Sequence, residues 1–350
     1  MRLEQWEVFK NAARRRSAVR VPVALIVDSP WIPGHLGIGH LDYYLDPEVW
    51  FQANLAVERQ FPDAILFPGW WVEYGMAMEP SAFGTRLHFW PDQPPAQTPV
   101  LFRAEDIERF KPIDPRVDGL MPLALQRYRT QKQRVFDAGY TIPVVTARGP
   151  LCTAAFVRGV NEFMMDLAEN PAAAHKLLRF STYAIIRWLE AQAEAIGPSV
   201  EGLFILDDIV GFLSRRSYLE FAHPYLTQIC EAFPKDWIKV YHNDANVKPF
   251  LADLPGTGFD VLNFSHNLEI AAVREATAGK LCLMGNVNPL ELGVRGTPEQ
   301  VQQAARDVLA KGGREGLILS MGGGVSPGTP AENLRALLQT VEGPGPSGSC

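Results

Sequence analysis

The chain has 350 residues, 47% of them hydrophobic and 21% charged, with a formal net charge of -6. These proportions are ordinary for a globular protein in water, and the acidic balance speaks against the basic footprint that a nucleic-acid backbone requires. No apolar stretch approaches the roughly 18 residues of a membrane span, nothing resembles a signal peptide, and Cys152, Cys230, Cys282 and Cys350 form no C-x-x-C pair, so a cytoplasmic protein with reduced thiols is expected.

From the N-terminus, an amphipathic Trp/Phe/Ala pattern predicts a helix whose solvated end is the basic run "ARRRSAVR" (13–20). An apolar strand, "RVPVALIVD" (20–28), follows, then the helix-like "DPEVWFQANLAVERQF" (46–61) and a second strand, "AILFPG" (64–69). The stretch from Trp70 to about residue 125 does not alternate. Rich in Pro and aromatic residues ("WPDQPPAQTPVLF"), it reads as an irregular excursion over one barrel mouth, a lid or binding loop.

Beyond residue 140, short β-rich runs alternate with longer helical patterns. The strands are "TIPVVTAR" (141–148), "GLFILDD" (202–208), "WIKVYHND" (237–244), "DVLNFS" (260–265), "KLCLMGNV" (280–287) and "GLILSMGG" (316–323). Each is apolar nearly throughout, as a strand covered on both faces must be. Helices are punctuated by Asn170-Pro171 and Gly197, and by Thr297-Pro298 and Gly312. Eight strands with intervening helices predict an α/β fold, a (β/α)₈ TIM barrel, as a single domain over 1–342 with a disordered tail at 343–350. A doubly wound open sheet is the alternative.

In such a barrel the functional groups stand at the C-terminal strand ends. The polar residues there are Asp28, Glu73, Tyr74, Arg148, Asp207, Asp208, His242, Asn243, Asp244, Asn263, His266, Asn286, Asn288 and Ser320. Adjacent carboxylates point in opposite directions along a strand, so one of Asp207 and Asp208 faces the mouth, and Asp208 is favoured. His242 and Asp244 stand at i and i+2, on one side of an extended strand, which suits a carboxylate–imidazole pair able to hold a proton near neutral pH. Each of these has a structural counterpart: a cap, a satisfied core histidine, a turn. Trp31, Trp70, Trp71, Tyr74, Phe89 and Trp90 concentrate in the first two strand–loop regions, where they either pack or stack a flat ligand.

With the strands placed, several stretches in order resemble the uroporphyrinogen decarboxylase superfamily. They are "ARGPLCTAAFVRGVNEFMMDLAENP", "LFILDDIVGFLSRRSYLEFAHPYL", "GNVNPLEL" and "GGGVSPGTPAENLRALLQTV". The resemblance covers about residues 20–342 and implies the (β/α)₈ barrel. It also implies one of two activities, porphyrin decarboxylation or methyl transfer linked to a corrinoid protein or a thiol. The decarboxylases' arginine-rich stretch falls at "ALIVDSPWIPGHLG" and their late histidine at "MGGGV", without Arg or His; Asp63, near their acidic position, reads as a turn residue. The thiol branch holds zinc through His-x-Cys and a later Cys, and here those places read His242-Asn243-Asp244 and Met321–Gly324, with both thiolates missing.

The implied function is therefore methyl transfer between a corrinoid (cobalamin), carried by a transient partner protein, and a small non-thiol substrate. Tetrahydrofolate, a methoxyaromatic and a methylamine are the candidates; a decarboxylase or other lyase, and a barrel without this catalysis, are the alternatives. His242, Asp244 and Asp208 are the expected catalytic residues. Trp31, Trp70, Trp71, Tyr74, Arg148, Asn243, Asn263, Asn286 and Ser320 are expected to bind substrate. A metal, if present, would sit on His242 and Asp244, with zinc admitted but not favoured. No nucleic acid or membrane partner is expected, and homodimerisation is compatible with the reading.

Overall fold

The computed structural model describes residues 1–16 and 20–341. Among the described residues ten strands occur in chain order: β1 (Ala24–Ile26), β2 (Ile65–Phe67), β3 (Arg86–His88), β4 (Ala96–Thr98), β5 (Val144–Arg148), β6 (Gly202–Leu206), β7 (Ile238–Asn243), β8 (Val261–Phe264), β9 (Cys282–Val287) and β10 (Leu317–Met321). The last six form a parallel sheet in the order β10-β9-β8-β7-β6-β5, and β1 pairs in parallel with β2. A parallel bridge from Val23 to Leu319 joins β1 to β10. These eight strands make the expected (β/α)₈ barrel.

The ring has one seam, because β2 and β5 share no ladder. Side chains stand in for the missing strand along β5. Gln192 accepts from the Thr146 amide and donates to its carbonyl, at 3.3 and 3.0 Å, and Glu79 accepts from the Arg148 amide at 3.0 Å. The backbone thus keeps its partners where the sheet does not supply them.

Inward residues alternate with outward ones along each strand, as the pleat requires. Ile26, Phe67, Val144, Phe204, Val240, Met284 and Ile318 fill the interior together with Trp6 and Phe9 of the first helix, Leu3–Ala13. That helix closes the N-terminal end of the barrel and is fastened there by Trp6 Nε1, which donates to Glu201 Oε2 at 2.7 Å. At its end Arg14 and Arg15 donate to the carbonyls of Asp236 and Gly279, so this part of the basic run ties the helix to neighbouring loops. Residues 17–19 of that run, and the tail expected to be disordered, lie outside the described residues.

The helix Pro47–Gln60 begins where Asp46 accepts from Glu48 N and Val49 N, and Pro298–Gly312 begins with a capping box between Thr297 and Gln300. The helix Pro171–Ile196 ends at Gly197, whose φ of +105° relieves the chain of a Cβ clash. No described helix is long and apolar enough to cross a membrane. The excursion is more ordered than its composition implies. It carries an antiparallel hairpin, β3 with β4, and a short helix Met78–Ala82, and its Val100 and Leu101 amides both donate to Val157 O.

Asp207 links two adjacent units. Fully buried at the end of β6, it accepts from Leu151 N and Cys152 N at 3.0 and 2.7 Å, the free amides opening the helix Pro150–Arg158. Gly149 makes room for this contact, since a Cβ there would lie 2.2 Å from Asp207 Oδ2. Gly149→Ala is expected to lower unfolding stability by about 1–3 kcal/mol, read from the midpoint of urea denaturation.

Candidate active site

The inward positions nearest the C-terminal strand ends bring together Arg148 (β5), His242 (β7), Asn263 (β8), Asn286 (β9) and Ser320 (β10), with Asp208 following β6. The arrangement centres on His242, which is 5% exposed. Its Nδ1 meets Asn263 Oδ1 at 2.6 Å, while Asn263 Nδ2 donates to Met284 O at 2.9 Å and Met321 O at 3.2 Å. Those two carbonyls fix which end of the amide carries hydrogens. Its oxygen must therefore face His242 and accept from Nδ1–H, leaving Nε2 free on the mouth side.

Nε2 lies 3.5 Å from Asp208 Oδ1. The same oxygen accepts from Asp244 N at 3.2 Å, and one ligand atom each from Asp208, His242 and Asp244 all lie within 4.8 Å of one another. Although much of Asp244 meets solvent, its carboxylate turns inward; Oδ2 lies 2.8 Å from where a Cβ on Gly323 would begin. Burial of that carboxylate raises its pKa; His242 opposes the shift and Asp208 adds to it.

The carboxylate closest to the imidazole is thus Asp208 rather than Asp244, which corrects the i, i+2 pairing. The physical reason is that β7 ends at Asn243, so the alternation of an extended strand no longer governs Asp244. Phe204 meets the His242 ring edge-on at 6.2 Å, Trp71 meets Phe204 at 6.4 Å, and Arg148 lies over Trp71 at 5.3 Å. This aromatic path runs across the barrel beneath the strand ends.

Several residues expected to bind substrate are committed elsewhere. Trp31 is buried, stacked on His35, with its Nε1 donating to Thr329 O. Trp70 has φ +54° and packs among Trp50, Phe51 and Tyr140 outside the barrel, so of the adjacent pair only Trp71 faces inward. Tyr74 is buried against Tyr44. Asn243 donates to Asp207 O and accepts from Ala245 N, closing the strand end, and Asn263 serves His242 in place of a ligand. Asn286 donates to Ser265 O and Leu268 O. Ser320 is fully buried, and its hydroxyl finds no hydrogen-bond partner among the described residues.

A second group stands across the barrel from His242. Glu73, 4% exposed, accepts from Ser29 N and has Oε2 3.7 Å from Arg148 Nη2. Burial raises the Asp28 pKa well above the usual carboxylate value, with Glu73 adding to the shift and Arg148 opposing it. Burial likewise pushes Glu79 up to about 7 against the pull of Arg148, and Asp207 up to about 7 against its backbone donors. The sequence reading missed Glu79; its one signal is a lone acid in the apolar run "GMAMEPSAF" (75–83).

Glu79 and Asp207 hold protons more tightly when folded, so the stability they contribute is complete at acidic pH and is lost as pH rises through about 7, and Asp28 shifts in the same direction. The thermal midpoint is expected to fall between pH 5 and 8. Glu79→Gln should flatten that fall, as read from thermal scans of both proteins across the range.

The opposite end of the barrel offers a groove lined by Arg2, Gln5, Val21, Asp63 and Leu338. Asp63, which precedes β2, therefore stands far from the strand ends where His242 lies.

A closed parallel barrel with an imidazole and carboxylates converging at its C-terminal strand ends has the build of a TIM-barrel enzyme. A family model described as "Uroporphyrinogen decarboxylase (URO-D)" matches residues 5–343, and the chain belongs to this family. A curated uroporphyrinogen decarboxylase from Chloroherpeton thalassium is 30% identical over 275 residues, covering 75% of this chain and 75% of that protein. One from Anaeromyxobacter sp. is 26% identical and covers 95% and 97%. Among solved structures, a "methyltransferase from Methanosarcina mazei" superposes with a TM-score of 0.82, covering 97% of this chain and 98% of that one at 21% identity. At that identity the likeness speaks to the fold.

Proposed function

We propose that the chain is a methyltransferase that moves a methyl group between a corrinoid on a partner protein and a small non-thiol substrate such as tetrahydrofolate, a methoxyaromatic or a methylamine. The observation that carries this reading is the free Nε2 of His242, pinned by Asn263 and flanked by Asp208 and Asp244 at the barrel mouth. Displacement at a methyl carbon breaks a methyl–oxygen or methyl–nitrogen bond only when the departing heteroatom is protonated or otherwise polarised. His242 Nε2–H donates that proton in one direction and Nε2 recovers it in the other. Asp208 stabilises the imidazolium, and Asn263 keeps Nδ1 protonated throughout. Trp71 and Phe204 exclude water beneath the reacting atoms.

The corrinoid, when docked, supplies the cobalt that takes or gives the methyl group. Phe212 and Leu290, on the segments following β6 and β9, are exposed at 66% and 45% and stand where a docked corrinoid protein would meet the chain.

Asp208, His242 and Asp244 also favour a second reading, in which they hold a divalent cation. One nitrogen and two carboxylate oxygens suit an ion that prefers hard ligands, and no cysteine stands in the cluster. Such an ion would supply Lewis-acid polarisation of the same heteroatom.

The chain's relatives named as decarboxylases raise the lyase alternative. Against it stands the charge of the mouth: Arg148 is already faced by Glu73, and a polycarboxylate would meet Asp208 and Asp244.

The test is a visible-spectrum assay with methylcobalamin and tetrahydrofolate, and with cob(I)alamin and a panel of methoxyaromatics and methylamines, alongside metal analysis. A change in the methyl–cobalt spectrum that is lost in Asp208→Asn is expected. Release of CO₂ from a carboxylated substrate, with no spectral change, would replace methyl transfer by the lyase reading.

A further inference from the structure

Four buried polar atoms without hydrogen-bond partners among the described residues belong to four neighbours: Glu73 Oε2, Glu79 Oε2, Thr146 Oγ1 and Arg148 Nε. The four residues are 2–7% exposed, and all line one small void closed by Trp71, Met78 and Trp188. An unpaired polar group in such a place costs about as much as a lost hydrogen bond, and buried groups are seldom left so. The 3.7 Å between Glu73 Oε2 and Arg148 Nη2 is too long for a direct bond to relieve them.

The chemistry of the lining restricts the occupant. A cation is repelled by Arg148, an anion by Glu73 and Glu79, and an apolar molecule by all four polar atoms. What remains is a neutral molecule that both donates and accepts, and the void has room for about one water. We propose that Glu73, Glu79, Thr146 and Arg148 form the binding site of a single internal water molecule, which joins Arg148 to both carboxylates.

The match is complete in number and sense. Water donates two hydrogens, one to Glu73 Oε2 and one to Glu79 Oε2, and accepts two, from Arg148 Nε–H and the Thr146 hydroxyl. If Glu79 is protonated, it donates and Thr146 turns to accept. The bridge therefore survives a change in the charge of Glu79. Its consequence is positional: with Nε held by the water, the guanidinium stays over Trp71.

A high-resolution crystal structure of the wild-type chain tests the site directly. A single density peak within hydrogen-bond distance of all four atoms is expected, with no anomalous signal. An empty void, a metal or halide peak, or Arg148 drawn into direct contact with either glutamate would overturn the proposal. Thr146→Val, which keeps the shape and removes the hydroxyl, is expected to lower the thermal midpoint by roughly 2–4 °C, while Thr146→Ser keeps both the water and the wild-type midpoint. If Thr146→Val fails to fold, the Ser variant and the wild-type density still decide the matter.

Discussion

His242→Ala is expected to reduce methyl transfer by roughly 10²–10⁴-fold, the range that a positioned acid–base group contributes, and to lower unfolding stability by about 1–3 kcal/mol because Asn263 Oδ1 loses its partner. Asn263 fixes the tautomer of the His242 imidazole and leaves its Nε2 free at the mouth. Removal of the imidazole leaves Asp208 and Asp244, two carboxylates within 4.8 Å of each other, without the nitrogen that passes the proton to the heteroatom and recovers it. A substrate whose leaving group is already acidic should lose less rate than one with a basic leaving group. The measurement is the initial rate of methyl–cobalt appearance or loss for a series of methoxyaromatics with graded leaving groups. A uniform loss across the series would remove His242 from the proton transfer.

Asn263→Leu is expected to have the larger structural effect, while leaving the reacting atoms untouched. Leu has a similar volume but no acceptor for His242 Nδ1–H and no donor for Met284 O and Met321 O. Leaving the imidazole N–H unpaired costs about 1–3 kcal/mol, which denaturant titration reads. The ring is then free to move its proton to Nε2, the nitrogen that must be available, so the rate should fall as well. Nitrogen chemical shifts of His242 separate the two effects: a merely structural role leaves the Nδ1–H tautomer intact, whereas a positioning role predicts a mixture.

The strands were legible in the sequence because buried parallel strands are apolar on both faces, so "KVYHND" and "LILSM" announce themselves without alternation. The polar residues closing them were legible for the same reason, as interruptions of an apolar run. What side chains do once there was less so. Trp70 and Trp71 are equivalent in composition, and which of the two turns inward is fixed by the backbone after β2, where Trp70 has a positive φ. Asn263 reads as a ligand group until the two carbonyls above it are in place. Asp208 and Asp244 come from different strands, and their convergence on one nitrogen follows from the register of β6 against β7, in which Leu206 lies opposite His242. The first helix reads as amphipathic with a solvated basic end, and what the sequence leaves open is that its apolar face is the floor of the barrel.

The seam between β2 and β5 bears on how the molecule avoids its own kind. An edge of free amides and carbonyls invites a strand from another chain, and growth of that contact leads to aggregates. Gln192 and Glu79 occupy the bonding positions of Thr146 and Arg148 that such a strand would use. They act as a decoy strand of two side chains, one lent by a helix and the other by the excursion. With those two side chains in place, the edge offers a second copy no free amide or carbonyl at Thr146 and no free amide at Arg148.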